Sequence, residues 1–226
     1  MKFFKICLVC ITMLAVQGCS VFDTFVTKET PVKTYSGWET VTIPGVVTLQ
    51  VPPTLEPQNP TLLQKLAKQS ADATLTELKQ NKKQILIWQQ KASTGYARIK
   101  VNTFATPSNV PLLGERVRMT EKELAAFDAD FRQGVQQSNN LPGTTCTYNN
   151  WAPMRIDNIN GLDCLTSYYE LTQNNQPPVV VYTYIFFNKD LLYNIQLAYA
   201  KAEHSVWETP ATDLRNTINT MTFVKR

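Results

Sequence analysis

Four consecutive runs of β-forming residues between positions 145 and 199 constrain the fold more than any other feature of the chain. The first two runs are separated by Asn160-Gly161, the dipeptide that most strongly indicates a two-residue hairpin turn. Polar residues at 174–177 and 188–190 separate the later runs, whose sequences are VVVYTYIFF and LLYNIQLAY. Strands joined by such short turns pair antiparallel. The sequence therefore predicts a four-strand antiparallel meander.

The last two strands of this meander are apolar on both faces. A three-residue loop at 188–190 would pair Phe187 with Leu191 and place Val181 and Tyr193 on the same face. An antiparallel sheet with one wet face shows a cleaner alternation of apolar and polar residues. We therefore expect helices or loops to cover both sides. Five aromatic residues of this region are expected in the core, or alternatively along a groove: Tyr168, Tyr169, Tyr182, Tyr184 and Phe186.

Helices and further hairpins are predicted around the meander. Thr61 with Gln64, and Thr120 with Glu123, form capping-box patterns that indicate helix starts. The first helix is expected to end near residue 81, and the second carries an apolar stripe. Hairpins are predicted at 38–51 and 84–104, a terminal helix from Thr209, and an edge strand at 221–224. The predicted fold class is α+β: an α/β/α sandwich on a mostly antiparallel sheet with a C-terminal four-strand meander and terminal helix.

The N-terminus combines a short positive segment with an apolar run from Ile6 to Val16. This run suits a signal peptide and is too short to span a membrane, which takes roughly 20 residues. It ends in Val16-Gln17-Gly18-Cys19, which resembles the lipobox of bacterial lipoproteins. The resemblance implies that Cys19 becomes a thioether to diacylglycerol and that cleavage before it frees an amine for acylation, for instance by palmitate. The alternative is a plain secretory signal with a coincidental cysteine.

The lipobox resemblance sets the domain organisation and the expected location. Residues 1–18 form the signal peptide, 19–37 the acylated cysteine and a flexible tether, and 38–226 a single globular domain. Ser20 resembles the pattern of lipoproteins exported to the outer membrane, whereas Asp at that position retains them at the inner membrane. We expect attachment to the cell outer membrane, facing the periplasm. The outer face of the cytoplasmic membrane is the alternative.

Two cysteines remain in the mature chain, because Cys7 and Cys10 leave with the signal peptide and Cys19 is acylated. Two cysteines in an exported chain most often pair. A disulfide between Cys146 and Cys164 would contribute roughly 3 kcal/mol in the chain-entropy model. The sequence predicts this bond, with two buried thiols as the alternative.

Charge and residue usage argue against several function classes. Lys and Arg number 22 and Asp and Glu 18, with no long basic run, so nucleic-acid binding is not expected. The single histidine, His204, leaves no two-histidine metal site, and phosphate-binding glycine motifs are missing. Asp157 and Asp163 flank the Asn-Gly turn and are expected to be solvated turn acids. We predict no catalytic residues, no metal and no cofactor.

The candidate interaction surface lies in two segments predicted to be loops. The segment 105–118 contains Arg116 and Arg118, and the segment 141–153 contains Tyr148 and Trp151. Loops of about 14 residues are often functional, and an exposed tryptophan is a typical interface hot spot. The alternative is that Trp151 folds back onto the domain.

A second resemblance, less specific than the lipobox, covers the whole predicted domain. The meander, the segment YNIQLAY and then Trp207, Leu214, Ile218, Met221 and Phe223 resemble the PsbP-like sandwich. That family includes a photosynthetic oxygen-evolving subunit and many bacterial lipoproteins. The resemblance would cover residues 38–226 and implies the sandwich fold, but it transfers no functional residue.

Three functions remain after these exclusions. The favoured hypothesis is a lipid-anchored envelope protein that acts as a non-catalytic binding or assembly module for an envelope protein partner. The alternative is an anchored carrier or sensor of a small apolar ligand held under the aromatic sheet. A wall or glycan hydrolase is less favoured, because it needs two inward carboxylates roughly 5–9.5 Å apart in a cleft.

Overall fold

The computed structural model describes residues 32–70, 72–74, 83–91, 95–105, 115–188 and 191–223. Within these residues one antiparallel sheet of seven strands dominates, in the order β3-β4-β5-β9-β8-β7-β6, beside a small sheet in the order β1-β2-β10. The strands are β1 (Glu39–Ile43), β2 (Val47–Val51), β3 (Leu55–Pro57), β4 (Lys83–Gln90), β5 (Ala97–Ala105), β6 (Cys146–Ile159), β7 (Leu162–Gln173), β8 (Val179–Asn188), β9 (Leu191–Ala200) and β10 (Thr222–Phe223). The helices are α1 (Pro60–Lys68), α2 (Glu121–Asn139), α3 (His204–Trp207) and α4 (Asn216–Asn219), with a 3₁₀ turn at Lys201–Glu203. Among the described residues, no helix is both long and apolar enough to cross a membrane.

The predicted meander is confirmed as strands β6 to β9. Asn160 and Gly161 have φ of 53° and 79°, so both central residues of the β6–β7 turn are left-handed, as a type I′ turn requires. Asn174 and Asn175, also at positive φ, form the β7–β8 turn. These asparagines tolerate the left-handed region better than most residues.

The predicted pairing of β8 with β9 is wrong by one residue. Phe187 pairs with Leu192, and Asn188 with Leu191, so only residues 189 and 190, outside the described residues, connect the strands. A one-residue slip moves every side chain of a strand to the other face. Tyr193 therefore shares its face with Phe186 rather than with Val181.

Both faces of the large sheet are covered, as predicted. On one face, α2 packs over β6, β7 and β8 through its apolar stripe of Leu124, Phe127, Phe131 and Val135. On the other face, the main core lies between the sheet, the small sheet, α1 and the C-terminal residues 207–223. The α+β class is confirmed, and the small sheet β1-β2-β10 shares one outer layer with short helices.

The helix ends confirm one capping prediction and correct two others. Thr120 and Glu123 form the predicted capping box at the start of α2. Helix α1 is capped by the Asn59 side chain rather than by Thr61, and it ends at Lys68, where Gln69 is extended with ψ of 156°. Residues 72–74 are helical again, and the predicted helix end near residue 81 lies outside the described residues. Turns replace the start of the predicted terminal helix, since only α4 at Asn216–Asn219 is helical there. The predicted edge strand is confirmed as β10, paired with β2.

The predicted disulfide between Cys146 and Cys164 is wrong for this fold, because both cysteines are free. Cys164 pairs with Asp157, whereas Cys146 lies opposite Gln173, nine residues further along β7. Because a strand rises about 3.4 Å per residue, the two cysteines are roughly 30 Å apart, and a disulfide needs Cα atoms within about 7 Å.

Both thiols should therefore alkylate when the full chain is denatured without reductant, as peptide mass spectrometry would show. In the folded protein only Cys146 should react. Cys164 is 0% exposed, and burial together with Asp157 and Asp163 raises the pKa of its thiol to about 12. A drop in melting temperature on adding dithiothreitol would contradict this expectation.

Candidate functional site

Arg116 and Arg118 lie on the segment that leads into α2, and both are exposed. Val117 between them is 9% exposed and packs into the core under α2. The Val117 amide donates to Asp163 Oδ2 over 3.1 Å, which fixes this segment against the β6–β7 hairpin. The fold thus presents both arginines on one anchored, exposed stretch of chain, and their part in an interaction surface stays a prediction.

These two arginines line an open cavity of about 460 Å³, which we call the arginine cavity. Its walls come from the segment before α2 and from the hairpin end of β6 and β7. The lining residues are Arg116, Val117, Arg118, Ile156, Asp157, Asn158 and Asp163. Five of these seven residues carry a charge or an amide, and Val117 and Ile156 add an apolar part.

The carboxylates of the arginine cavity are engaged by neighbouring donors. Asp157 Oδ2 accepts from Arg155 Nε over 2.9 Å and from Thr166 Oγ1 over 2.6 Å. Asp163 Oδ1 accepts from Asn158 Nδ2 over 2.7 Å, and its Oδ2 accepts from the Val117 amide. Both acids therefore act as structural acceptors that hold the cavity wall together.

No carboxylate of the described residues lies within 4.0 Å of the guanidinium of Arg116 or Arg118, whereas Arg132, Arg155 and Arg215 each form an ion pair. A guanidinium presents five donors in a planar fork that matches carboxylate and phosphate groups. The cavity can therefore bind an anion through two exposed guanidinium groups.

Tyr148 and Trp151 do not belong to this surface. The predicted loop 141–153 is wrong for its second half, because β6 begins at Cys146. Asn150, with φ of 49°, lies where the β6–β7 register shifts between Asn149 and Ala152. Such a bulge redirects the next side chain. Trp151 folds back, as the alternative prediction held, and stacks on Tyr169 with ring centroids 4.5 Å apart.

The other contacts of these aromatic residues also point inward. Tyr148 accepts from Asn139 Nδ2 over 3.0 Å, and Trp151 Nε1 donates to Asp128 Oδ1 over 3.2 Å. Arg132 lies over the Trp151 ring at 4.8 Å. Tyr148 and Trp151 therefore fasten α2 to β6 and do not line the arginine cavity.

Asp128 is the buried acceptor at the centre of that contact. It is 8% exposed, and it accepts from the Met154 amide over 2.9 Å as well as from Trp151. Arg132 Nε, one helical turn away, donates to its second oxygen over 2.8 Å. Sequence reasoning missed this role of Asp128, because its partners on β6 are more than twenty residues away along the chain.

A second polar cluster, which we call the Glu208 network, joins the C-terminal segment to the sheet. Tyr182 Oη donates to Glu208 Oε1 over 3.0 Å, and Tyr199 Oη donates to the same oxygen. The other oxygen faces His204 Nε2 at 3.0 Å and Arg215 Nη2 at 3.8 Å. Burial and the bond to Glu208 raise the pKa of Tyr199 far above its usual value. Sequence reasoning missed this network because the tyrosines and Glu208 lie on separate elements.

A second carboxylate on this sheet, that of Glu170, also accepts hydrogen bonds from a cation and a tyrosine. Glu170, 6% exposed, accepts from Lys201 Nζ over 2.9 Å and from Tyr168 Oη over 2.9 Å. The bond from Lys201 holds the pKa of Glu170 below its usual value. Both oxygens of Glu170 are occupied, so this pair has a structural role.

The remaining predictions concern the lipid-modified cysteine and metal binding. Cys19 and the whole lipobox lie outside the described residues. Among the residues that are described, no three His, Cys, Asp or Glu side chains are placed to hold a metal ion.

Comparisons with known proteins give a distant structural similarity. No protein-family model matches the chain, and no curated protein matches its sequence. Among solved structures, the chain is similar to the solution structure of cyanobacterial PsbP (CyanoP) from Synechocystis sp. PCC 6803. The match has a TM-score of 0.49 and 9% identity, and it covers 86% of this chain and 100% of that one. No function follows from similarity at this level.

Proposed function

We propose that this chain is a lipid-anchored protein of the cell envelope that acts as a non-catalytic binding or assembly module. Acylated Cys19 attaches it to the outer membrane, and the tether predicted after it lets the domain face the periplasm. The predicted tether of residues 20–37 is shortened at its end, because the Tyr35 amide donates to Gln50 Oε1 and the Tyr35 hydroxyl to Asn216 Oδ1, each over 2.8 Å. A coil of about 15 residues has a root-mean-square span of about 20 Å, which keeps the domain near the membrane while leaving its surfaces accessible.

The observation that carries this proposal is the pair of exposed arginines at the arginine cavity, which have no ion-pair partner among the described residues. Exposed arginines form ion pairs elsewhere on this surface, as Arg155 does with Asp157. Arg116 and Arg118 instead leave their donors available to a second molecule. Arginine is enriched among the residues that dominate binding at protein interfaces.

The described residues favour binding over the other two functions. The carboxylates nearest the cavity, Asp157 and Asp163, accept hydrogen bonds from Arg155, Thr166, Asn158 and the Val117 amide, which suits wall residues better than an acid and base poised for hydrolysis. Five of the seven residues that line the cavity carry a charge or an amide, which suits a polar ligand better than an apolar one.

The test is photo-cross-linking in the cell. A benzophenone amino acid at Asn158, on the cavity wall, should give one discrete cross-linked product that extracts with detergent from the membrane. The same amino acid at Gln176, an exposed residue in the β7–β8 turn, is the matched control and should give none. Mass spectrometry of the product identifies the partner.

The variant Cys19→Ser tests the anchor in the same cells. Cleaved Cys19→Ser protein should move from the membrane fraction to the soluble fraction and lose the cross-linked product, because the domain is no longer held near its partner; uncleaved protein, recognised by the mass of its signal peptide, is counted separately. Diffuse cross-linking that is equal at Asn158 and Gln176 would argue against a binding module. Cleaved Cys19→Ser protein that stays in the membrane fraction, or a wild-type N-terminus without acyl mass, would argue against the anchor.

A further inference from the structure

We infer that the arginine cavity recognises an acidic segment of a partner protein in which two carboxylate side chains stand two residues apart. This inference rests on the proposed binding function and specifies the chemistry of the partner. It is carried by the spacing of the two arginines, by the charge of the cavity and by its shape.

The spacing follows from the conformation of the segment before α2. Residues 116–120 have neither helix nor turn structure, and exposure alternates from Arg116 through buried Val117 to Arg118. That alternation is typical of extended chain, in which residues two apart point to the same side about 6.6 Å apart. Two acidic residues separated by one residue in an extended peptide have the same spacing, so each carboxylate meets one guanidinium.

The charges at the cavity favour an anion. The lining carries the two guanidiniums of Arg116 and Arg118 and the two carboxylates of Asp157 and Asp163. The carboxylates are engaged by neighbouring donors, whereas no carboxylate of the described residues pairs with either guanidinium, so the guanidiniums are the charges that the cavity offers. Arg155 and Thr166 engage Asp157, while Asn158 and Val117 engage Asp163. A guanidinium binds a carboxylate through two parallel hydrogen bonds, which gives direction as well as attraction.

The shape of the cavity favours a peptide over an anionic bilayer. A concavity of about 460 Å³ accepts individual side chains, whereas a flat membrane surface would contact only its rim. Val117 and Ile156 add an apolar part to the lining, against which the backbone of a peptide can pack.

The experiment measures fluorescence anisotropy of the peptide GGEGEGG, labelled with fluorescein, against the full chain in non-ionic detergent. The wild type should bind it more tightly than the analogue GGQGQGG, and binding should weaken as salt is added, because the cavity is open. Arg116→Gln with Arg118→Gln should weaken binding on the order of tenfold, the effect of two exposed charge pairs.

The matched control is the double variant Lys33→Gln with Lys122→Gln, which removes two exposed positive charges elsewhere. It should bind GGEGEGG like the wild type. Equal loss in both double variants, or equal binding of the glutamine peptide, would overturn the inference. So would displacement of the peptide by glycerol phosphate at lower concentration than by unlabelled GGEGEGG, because the cavity would then prefer a lipid headgroup.

The cross-linking experiment and the peptide-binding experiment distinguish a failure of the proposed function from a failure of the acidic-segment inference. A discrete cross-linked partner at Asn158 together with no binding of GGEGEGG would overturn only the acidic-segment inference. Diffuse cross-linking would overturn the proposed function, whatever the peptide does.

Discussion

Asp128→Ala is expected to lower the free energy of unfolding by about 3–4 kcal/mol. Its carboxylate accepts from the Met154 amide, the Trp151 indole and Arg132, all at the contact between α2 and β6. Alanine would leave the Met154 amide and the Trp151 indole without an acceptor in a site that is 8% exposed. Urea unfolding of the full chain, followed by tryptophan fluorescence, measures the change.

Two variants separate the causes of this effect. Asp128→Asn keeps an oxygen for the Met154 amide but loses the charge that faces Arg132, so we expect a loss of about 1–2 kcal/mol. Glu121→Ala, an exposed acid in the first turn of the same helix, should cost only about 0.3–1 kcal/mol through the helix dipole. A loss below 1 kcal/mol for Asp128→Ala would mean that the buried donors find other partners.

Glu208→Ala is the second largest expected effect, a loss of about 2–3 kcal/mol in the free energy of unfolding. The substitution removes the acceptor of Tyr199 and Tyr182. Tyr199 is 1% exposed, so its hydroxyl cannot turn to solvent. Arg215 keeps its bond to Asp213, which limits the loss.

Hydrogen exchange shows which part of the domain the Glu208→Ala substitution destabilises. The amides of residues 214–221, which follow Glu208 and pack on the sheet, should exchange faster in Glu208→Ala, while those of α2 should not change. Glu208→Gln retains an oxygen for the tyrosines and should lose roughly half as much stability. Uniform acceleration across both regions would show that the network stabilises the whole domain rather than the docking of the C-terminal segment.

Local signals in the sequence predicted the elements whose conformation depends on near neighbours. The Asn160-Gly161 turn and the Thr120–Glu123 capping box form within a few residues, and both are confirmed. The prediction at Thr61 was wrong because Asn59 and Pro60, just before it, offer a better helix start. The pairing of β8 with β9 was wrong because periodicity does not distinguish a two-residue link from a three-residue one, although that choice inverts a whole strand.

The candidate site could be predicted only in part. Arg116 and Arg118 were chosen because they lie on a segment predicted to be a long loop, and they are exposed at a cavity. Tyr148 and Trp151 were chosen for the same reason but lie in a bulged strand that turns Trp151 onto Tyr169. The walls of the cavity, Asp157 and Asp163, could not be assigned to it beforehand, because the Val117 amide reaches Asp163 across 46 positions.

The sequence alone determined the antiparallel meander, the α+β class, the Asn160-Gly161 turn and the start of α2, because turn and capping preferences are properties of neighbouring residues. Its N-terminal pattern also predicts the lipid anchor. The tertiary structure decided that Cys146 and Cys164 stay apart, that Asp128 is a buried acceptor and that two arginines are exposed at a cavity with no ion-pair partner among the described residues. These outcomes depend on register and packing between distant segments, where a shift of one residue changes which side chains meet.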